Sequence, residues 1–154
     1  MDSKDVLWGL YLDNIEQGRH HETQRSNVAS IFAAIAAALL AVVSQDGVMK
    51  NDVAPSMFLA ILGIIGGLFS LKQYERFSAH MERARVYRDA LEKDLAAKNT
   101  AVPIHQLKSY ADAEHKCKMP VLNKLRLNWL WSVFYVVVTL TGSVLMAEAW
   151  RSAS

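Results

Sequence analysis

The stretch NVASIFAAIAAALLAVVSQ, residues 27–45, decides the fold together with PSMFLAILGIIGGLFSL at 55–71 and WLWSVFYVVVTLTGSVLMA at 129–147. None of the three contains Asp, Glu, Lys, Arg or His. Because a helix rises about 1.5 Å per residue, 19 residues span about 28 Å, close to the thickness of the hydrocarbon layer of a bilayer. The stretches are solidly apolar and do not alternate, which favours helices over a transmembrane barrel. The sequence predicts an all-α integral membrane protein with three transmembrane helices.

The distribution of lysine and arginine predicts the orientation of these spans. Residues 72–128 carry twelve of them, whereas the linker at 46–54 and the tail at 148–154 carry one each. Positive charge is retained on the cytoplasmic side, so the N-terminus and residues 72–128 should lie inside and the C-terminus outside. The predicted order is an N-terminal amphipathic cytoplasmic helix at 1–26, a span at 27–45, an external linker at 46–54, a span at 55–71, a cytoplasmic helical region at 72–128, a span at 129–147 and an external tail at 148–154.

Helical periodicity continues beyond the second span. No helix breaker separates Ser56 from Lys98, so one long helix is expected to leave the membrane there. Its apolar side chains recur at spacings of three and four, which requires a packing partner; they are Phe77, Met81, Ala84, Tyr87, Leu91 and Leu95. A shorter helix is expected at 104–118, with Leu107, Tyr110, Ala111 and Cys117 facing inward, and the chain should re-enter a helix near Val121.

Small residues on the first two spans indicate close helix packing. The first span has an i, i+4 ladder of alanines and a second ladder of Ser30, Ala34 and Ala38. Lipid provides no hydrophobic drive between helices, so such faces mark association. Packing of the first span on the second within one subunit is one interpretation, and homo-oligomerisation is the other. We favour homo-oligomerisation because a single contact within the subunit would leave some of these small-residue faces uncovered. The residues predicted for helix or oligomer packing are Ala29, Ala33, Ala37, Ala41, Gly63 and Gly67.

Polar side chains cluster where the first span begins and the second ends. The segment RHHETQRS occupies 19–26, and basic residues follow the second span on the same predicted side of the membrane. A structural interpretation pairs Glu22 with Arg76 or Arg83 and places the basic residues on anionic lipid headgroups. The alternative is a site for an anionic ligand, or a gate at the cytoplasmic mouth of an oligomer. The residues predicted for the mouth or for ligand and lipid contact are Arg19, His20, His21, Arg25, Arg76, His80 and Arg83.

Enzymatic chemistry has no visible basis in the sequence. The chain lacks GxSxG, HExxH and a phosphate-binding glycine–lysine loop. His115 and Cys117 are two residues apart, but zinc sites need three or four ligands, and His105 is poorly placed to be a third. Residues 72–128 carry twelve basic and seven acidic side chains, an excess that membrane topology already explains. We therefore expect no enzyme activity, no metal or other cofactor and no nucleic-acid partner.

The chain resembles small bacterial membrane proteins of the SLATT type in four features. They are the N-terminal helix, the segment RHHETQRS, the closely spaced first two spans and the helix LKQYERFSAHMERARVYR at 71–88. The resemblance is one of pattern over about residues 8–96. The third span departs from it, and in layout the chain is also similar to the three-span, oligomeric RipA-like proteins of the bacterial inner membrane. The resemblance implies a location in the bacterial inner membrane and a pore-forming role in nucleotide-signalled antiphage defence.

These patterns together predict an oligomeric membrane protein that forms a pore or perturbs the membrane and is controlled through its cytoplasmic helices. The expected partners are the lipid bilayer, further copies of the chain and a cytoplasmic protein or nucleotide signal. The spans lack mid-membrane charge, and a single three-helix bundle has no room for a wet lumen, so conduction would require several subunits. The alternative is a structural or scaffolding membrane oligomer that does not conduct.

Overall fold

In a computed structural model the described residues form four α-helices. The structure describes residues 2–45, 47–97, 104–119, 124 and 127–152. Helix α1 is Ser3–Ser44, α2 is Val53–Ala97, α3 is Ile104–Lys118 and α4 is Leu127–Arg151, with a short 3-10 helix at Lys50–Asp52 before α2. No β-strand occurs in the described ranges. Helices α1, α2 and α4 are long and apolar enough to cross a membrane, which confirms the predicted all-helical chain with three helices of span length.

Helix α1 runs without interruption through the polar segment at 19–26. No proline or paired glycines break it, so the predicted amphipathic helix and the first span form one element. Its buried residues recur at spacings of three, four and seven and so lie on one side of the helix. They are Asn14, Gly18, His21, Arg25, Ala29, Ala36 and Val43.

Helix α2 is a single helix of 45 residues, as predicted. Beyond its apolar part, Ala84 and Leu91 are buried, and the other residues of the predicted stripe are half-buried. The stripe meets α1 at Gly18, where an added Cβ would collide with the Met81 methyl group and lie 3.6 Å from the Phe77 ring. The partner that the stripe requires is therefore the N-terminal part of α1.

The turn between α1 and the 3-10 helix depends on a glycine. Gly47 has a φ of 80°, in the left-handed region where a side chain would be strained. The backbone N–H of Met49 then donates to Asp52 Oδ2 at 2.8 Å. This hydrogen bond satisfies a donor at the start of the 3-10 helix and fixes the approach of the chain to α2.

The chain divides into two compact units. Unit 1 contains Met1–His21 and Glu75–Arg126, and unit 2 contains Glu22–Tyr74 and Leu127–Ser154. Unit 2 holds the three apolar segments around a core of Ala36, Leu59 and Leu62, with Phe32 and Val138 among the side chains packed on it. All three span-length helices therefore contribute to one apolar bundle in unit 2.

Glycines bring α2 and α4 into close contact in unit 2. A Cβ on Gly63 would lie 2.7 Å from the Thr139 backbone nitrogen and 2.9 Å from the Tyr135 carbonyl oxygen. A Cβ on Gly142 would collide with the Ala60 backbone nitrogen and lie 2.8 Å from the Ser56 carbonyl oxygen. Real Cβ atoms do not approach backbone so closely, so each glycine lets the two helices pack backbone to backbone.

Helix α3 has the predicted bounds but not the predicted packing. The expectation that Leu107, Tyr110, Ala111 and Cys117 face inward is wrong, because all four are exposed, Tyr110 by 72%. One leucine, one tyrosine and an alanine offer little apolar area to bury, which gives α3 a weak drive to pack. The predicted re-entry near Val121 lies outside the described residues.

Candidate functional site

A buried arginine holds the three helices of unit 2 together. Arg25, on α1, is only 1% exposed. Its Nε donates to Ser70 Oγ on α2 at 2.8 Å, and its Nη2 donates to Asn128 Oδ1 on α4 at 2.7 Å. The planar guanidinium presents its donors in a fixed fork, so it can reach two helices at once. A second polar contact joins α1 to α2, where Gln73 Nε2 donates to Gln24 Oε1 at 3.2 Å.

The charge of Arg25 is balanced by its surroundings. Glu22 Oε1 lies 3.5 Å from Nη1, and the guanidinium lies 5.7 Å from the ring centres of both Tyr74 and Trp131. Burial lowers the pKa of Arg25, and the negative charge of Glu22 opposes this shift. Arginine titrates so far above neutrality that it stays protonated. The surrounding side chains thus stabilise one buried cation. Together with Arg25 we call them the Arg25 cluster: Arg25, Ser70, Asn128, Glu22, Tyr74 and Trp131.

The Arg25 cluster changes the interpretation of one predicted mouth residue. Arg25 faces into unit 2 and its donors are used by side chains of the same chain. The sequence suggested Arg76 or Arg83 as the ion-pair partner of Glu22. In the structure Glu22 lies against Arg25, one helical turn away. We therefore treat Arg25 as a residue that positions helices, and the ligand role proposed for it from the sequence remains untested.

Two histidines and an asparagine form a second polar cluster, in unit 1. The His21 and His80 rings stack with their centres 5.4 Å apart and 25° between their planes. Asn14, which is buried, donates from Nδ2 to the Leu10 carbonyl oxygen at 2.8 Å and directs Oδ1 at His80 Nδ1, 3.0 Å away. An amide oxygen can only accept, so Nδ1 of His80 carries the proton. We call Asn14, His21 and His80 the histidine cluster.

The histidine cluster favours neutral His80. Burial lowers the pKa of His80 below its usual 6.5, the charge of Arg83 and the neighbouring His21 lower it further, and Asp13 opposes them. Adding a proton to Nε2 would place a cation against a stacked imidazole with Arg83 nearby. Acid should therefore weaken the packing of α1 on α2 inside unit 1.

The other predicted mouth residues lie on the surface of unit 1. Arg19, His20, Arg76 and Arg83 are exposed, and the His20 ring meets the His21 ring edge-on at 6.1 Å. The structure thus brings His20, His21 and His80 together, with Arg83 close enough to act on His80.

The side of α1 that faces away from the bundle in unit 2 carries a stripe of mostly small side chains, with Asn27 among them and the exposed Ile31 and Val42 at its border. Seven exposed residues form this small-residue face of α1: Ser26, Ser30, Ala34, Ala37, Ala38, Ala41 and Ser44. Of the predicted ladder, Ala29 is buried, Ala33 is half-buried, and Ala37 and Ala41 belong to this face. The exposed sides of α2 and α4 differ, because they carry large side chains such as Ile65, 54% exposed, and Val137, 54% exposed.

The predicted glycine pair contacts the third apolar helix. Packing of the first span on the second was one of the two interpretations of these small residues, but Gly63 lies against α4. Gly67, one turn further, is half-buried, and a Cβ there would have only Tyr135 Cβ within 4 Å, at 3.6 Å. The two glycines therefore differ in role, since one is closed by α4 and the other faces open space.

Several residues of these clusters escaped the sequence analysis. Asn14 is one of them: it lies seven residues before His21 and eleven before Arg25, on a stripe hidden because its members are polar where a buried helix face is usually apolar. Nothing in the spacing of Ser70 and Asn128 could have revealed that they share one arginine, because they are 58 positions apart in the chain.

Over the described part of the chain, no three His, Cys, Asp or Glu side chains are placed to hold a metal ion. Comparison of the chain with protein-family models, with curated proteins and with solved structures finds no significant match of any kind.

Proposed function

We propose that this chain is a homo-oligomeric membrane protein that forms a pore or perturbs the membrane, with subunits joined through the small-residue face of α1. The observation that carries the proposal is the contrast between this face and the exposed sides of α2 and α4. Large aliphatic side chains suit contact with lipid. Small ones let helix backbones approach closely and are enriched where membrane helices associate.

The width of the face allows it to serve both assembly and conduction. At 100° per residue its seven positions cover about 120°, or a third of the helix circumference. One edge can pack on the neighbouring subunit while the other, which includes Ala34 and Ala38, faces the axis of a ring. Such a lumen would be narrow and weakly polar. The exposed Arg19, His20, Arg76 and Arg83 would make its mouth basic and favour anions.

Control of the pore is proposed for unit 1. Unit 1 has a pocket of about 570 Å³, floored by Leu91 and Leu95. The Trp8 and Tyr11 rings stack beside them with centres 5.4 Å apart, and charges at the rim come from Lys4, Asp5 and Arg88. A pocket with an apolar floor and a few charged groups is the usual form of a binding site, so we assign reception of a signal or partner protein to it. The SLATT-like pattern supports the same proposal and adds antiphage defence in the bacterial inner membrane as its setting.

The proposal is tested by membrane potential in cells that express the protein. Wild type should depolarise the membrane and slow growth, and Ala37→Phe should relieve both effects because the ring fills the small-residue face. Ala147→Phe is the matched control, since Ala147 is an exposed alanine on the lipid-facing side of α4. It should leave depolarisation unchanged. Membrane insertion of each variant is checked by fractionation.

The alternative is a scaffold that assembles through the same face and does not conduct. It is supported by the spans themselves, which contain no charged side chain that could line a conduction path. A fully inserted wild type that leaves the membrane potential intact, even when unit 1 is clustered by a fused dimerisation module, would reject the pore. The scaffold would then remain as the function.

A further inference from the structure

Unit 2 has a groove on its outer surface between α2 and α4, with a volume of about 300 Å³. Its floor includes Gly67, Tyr135 and Thr139, which are buried or half-buried. Its walls include Ile64 and Leu68, whose side chains are 52% and 63% exposed. The groove is therefore a surface depression with a glycine in its floor and flexible aliphatic side chains as its walls.

The threonine and serine hydroxyls of the groove are already satisfied, whereas the buried hydroxyl of Tyr135 has no hydrogen-bond partner among the described residues. Thr139 Oγ1 donates to the Tyr135 carbonyl oxygen at 2.9 Å, and Ser132 Oγ donates to the Asn128 carbonyl oxygen at 3.0 Å. Both hydroxyls donate to a carbonyl of their own helix, so neither requires a hydrogen-bond acceptor from a ligand in the groove. An apolar ligand would therefore leave these two hydroxyls with the partners they already have.

Gly67 makes the groove deep. Only Tyr135 Cβ lies within 4 Å of where a Cβ on Gly67 would stand, so a side chain there would enter the groove without moving either helix. Gly63, one turn away, is closed by the α4 backbone. The space beside Gly67 therefore does not result from poor packing of α2 on α4.

We propose that this groove binds one acyl chain of a phospholipid. An α-helix from another subunit is about 10 Å in diameter with its side chains and cannot enter a groove of this volume, whereas an unbranched chain can. The walls continue the large aliphatic surface formed by residues such as Ile61 and Val133, unlike the small-residue face of α1. The inference rests on insertion into a bilayer and is independent of conduction.

The end of the groove indicates where the lipid headgroup lies. Leu71 lines the groove, and Lys72, which is exposed, follows it as the first charged residue beyond the apolar part of α2. A chain seated beside Gly67 with its headgroup at this end would place a lipid phosphate near the Lys72 ammonium group. The groove should therefore retain anionic phospholipid better than zwitterionic phospholipid.

Native mass spectrometry of the full chain, purified in mild detergent and re-equilibrated with phosphatidylglycerol or phosphatidylcholine, tests the proposal. Wild type should retain one phospholipid per subunit, with phosphatidylglycerol preferred. Gly67→Leu should weaken retention about tenfold, because its side chain displaces about two methylene groups of the ligand. Ala147→Leu, an exposed position outside the groove, should retain lipid as wild type does.

Leu68→Ala provides a second variant that adds no volume. It removes a wall of the groove and should also lower retention, so the proposal remains testable if Gly67→Leu fails to fold. Equal lipid retention in wild type and both folded variants would overturn the proposal. A Gly67→Leu variant that keeps its lipid but loses subunits would overturn it as well, since the groove would then hold a second copy of the chain.

Discussion

Replacement of Arg25 by alanine should destabilise the bundle of unit 2 more than any single change at an exposed arginine. The change removes two short hydrogen bonds, to Ser70 and Asn128, and two contacts with aromatic rings. Hydrogen bonds between membrane helices contribute about 0.6 kcal/mol on average, and those to charged groups in water-soluble proteins about 1.5–3 kcal/mol. Taking about 1 kcal/mol for each bond and about 0.5 kcal/mol for each ring contact gives a loss of about 3 kcal/mol.

The assay is reversible unfolding in detergent micelles, followed by circular dichroism. The matched control is Arg85→Ala: Arg85 pairs with Glu82 at 2.9 Å, but the two side chains are 61% and 68% exposed. Such pairs contribute less than about 0.5 kcal/mol. Arg25→Lys should fall between the two, because a lysine keeps the charge but cannot reach partners on two helices at once. If Arg25→Ala and Arg85→Ala unfold at the same denaturant concentration, the structural role assigned to Arg25 is wrong.

Three further outcomes follow from the structure. Gly63→Ala should lower the free energy of unfolding by about 1–3 kcal/mol in the same assay, because its Cβ meets the α4 backbone. Gly9→Ala, which has open space around it, should not lower the free energy of unfolding, and equal losses in the two variants would contradict the close helix contact. Because the pKa of His80 is lowered in the folded state, the unfolded state binds more protons, so stability should be constant above about pH 6.5 and fall below it. His80→Gln should flatten this fall and His20→Gln, at an exposed position, should not; a fall that persists in His80→Gln would reject the assignment. The exposed thiol of Cys117 should resist a membrane-impermeant reagent in intact spheroplasts and react after lysis, and labelling before lysis would reverse the predicted orientation.

The long-range periodicities of the sequence were reliable guides to helices. The stripe from Phe77 to Leu95 predicted both the length of α2 and its inward side, because helix propensity and burial point to the same residues there. The bounds of α3 followed from the breakers on either side. Its packing did not, since the Leu107 face has too little apolar area for periodicity alone to decide whether it is covered.

The polar contacts were beyond sequence reasoning for a different reason. A buried polar residue is recognisable only by its partner, and the partners of Arg25 lie on helices distant in the chain. The same holds for Gly63. The spacing of the glycines predicts a close helix contact but does not identify the partner helix, which is α4. Which small face remains outside could be seen only once the internal contacts of Ala29 and Ala36 on α1 were known.

The most direct test of subunit association through α1 is disulfide cross-linking in native membranes, in a Cys117→Ser background. Ala37 lies on the small-residue face, and Ala147 is an exposed alanine of α4 outside that face. Mild oxidation should convert Ala37→Cys, and not Ala147→Cys, into a covalent dimer of the chain. A monomeric Ala37→Cys alongside a cross-linked Ala147→Cys would contradict the account and move the subunit contact to α4.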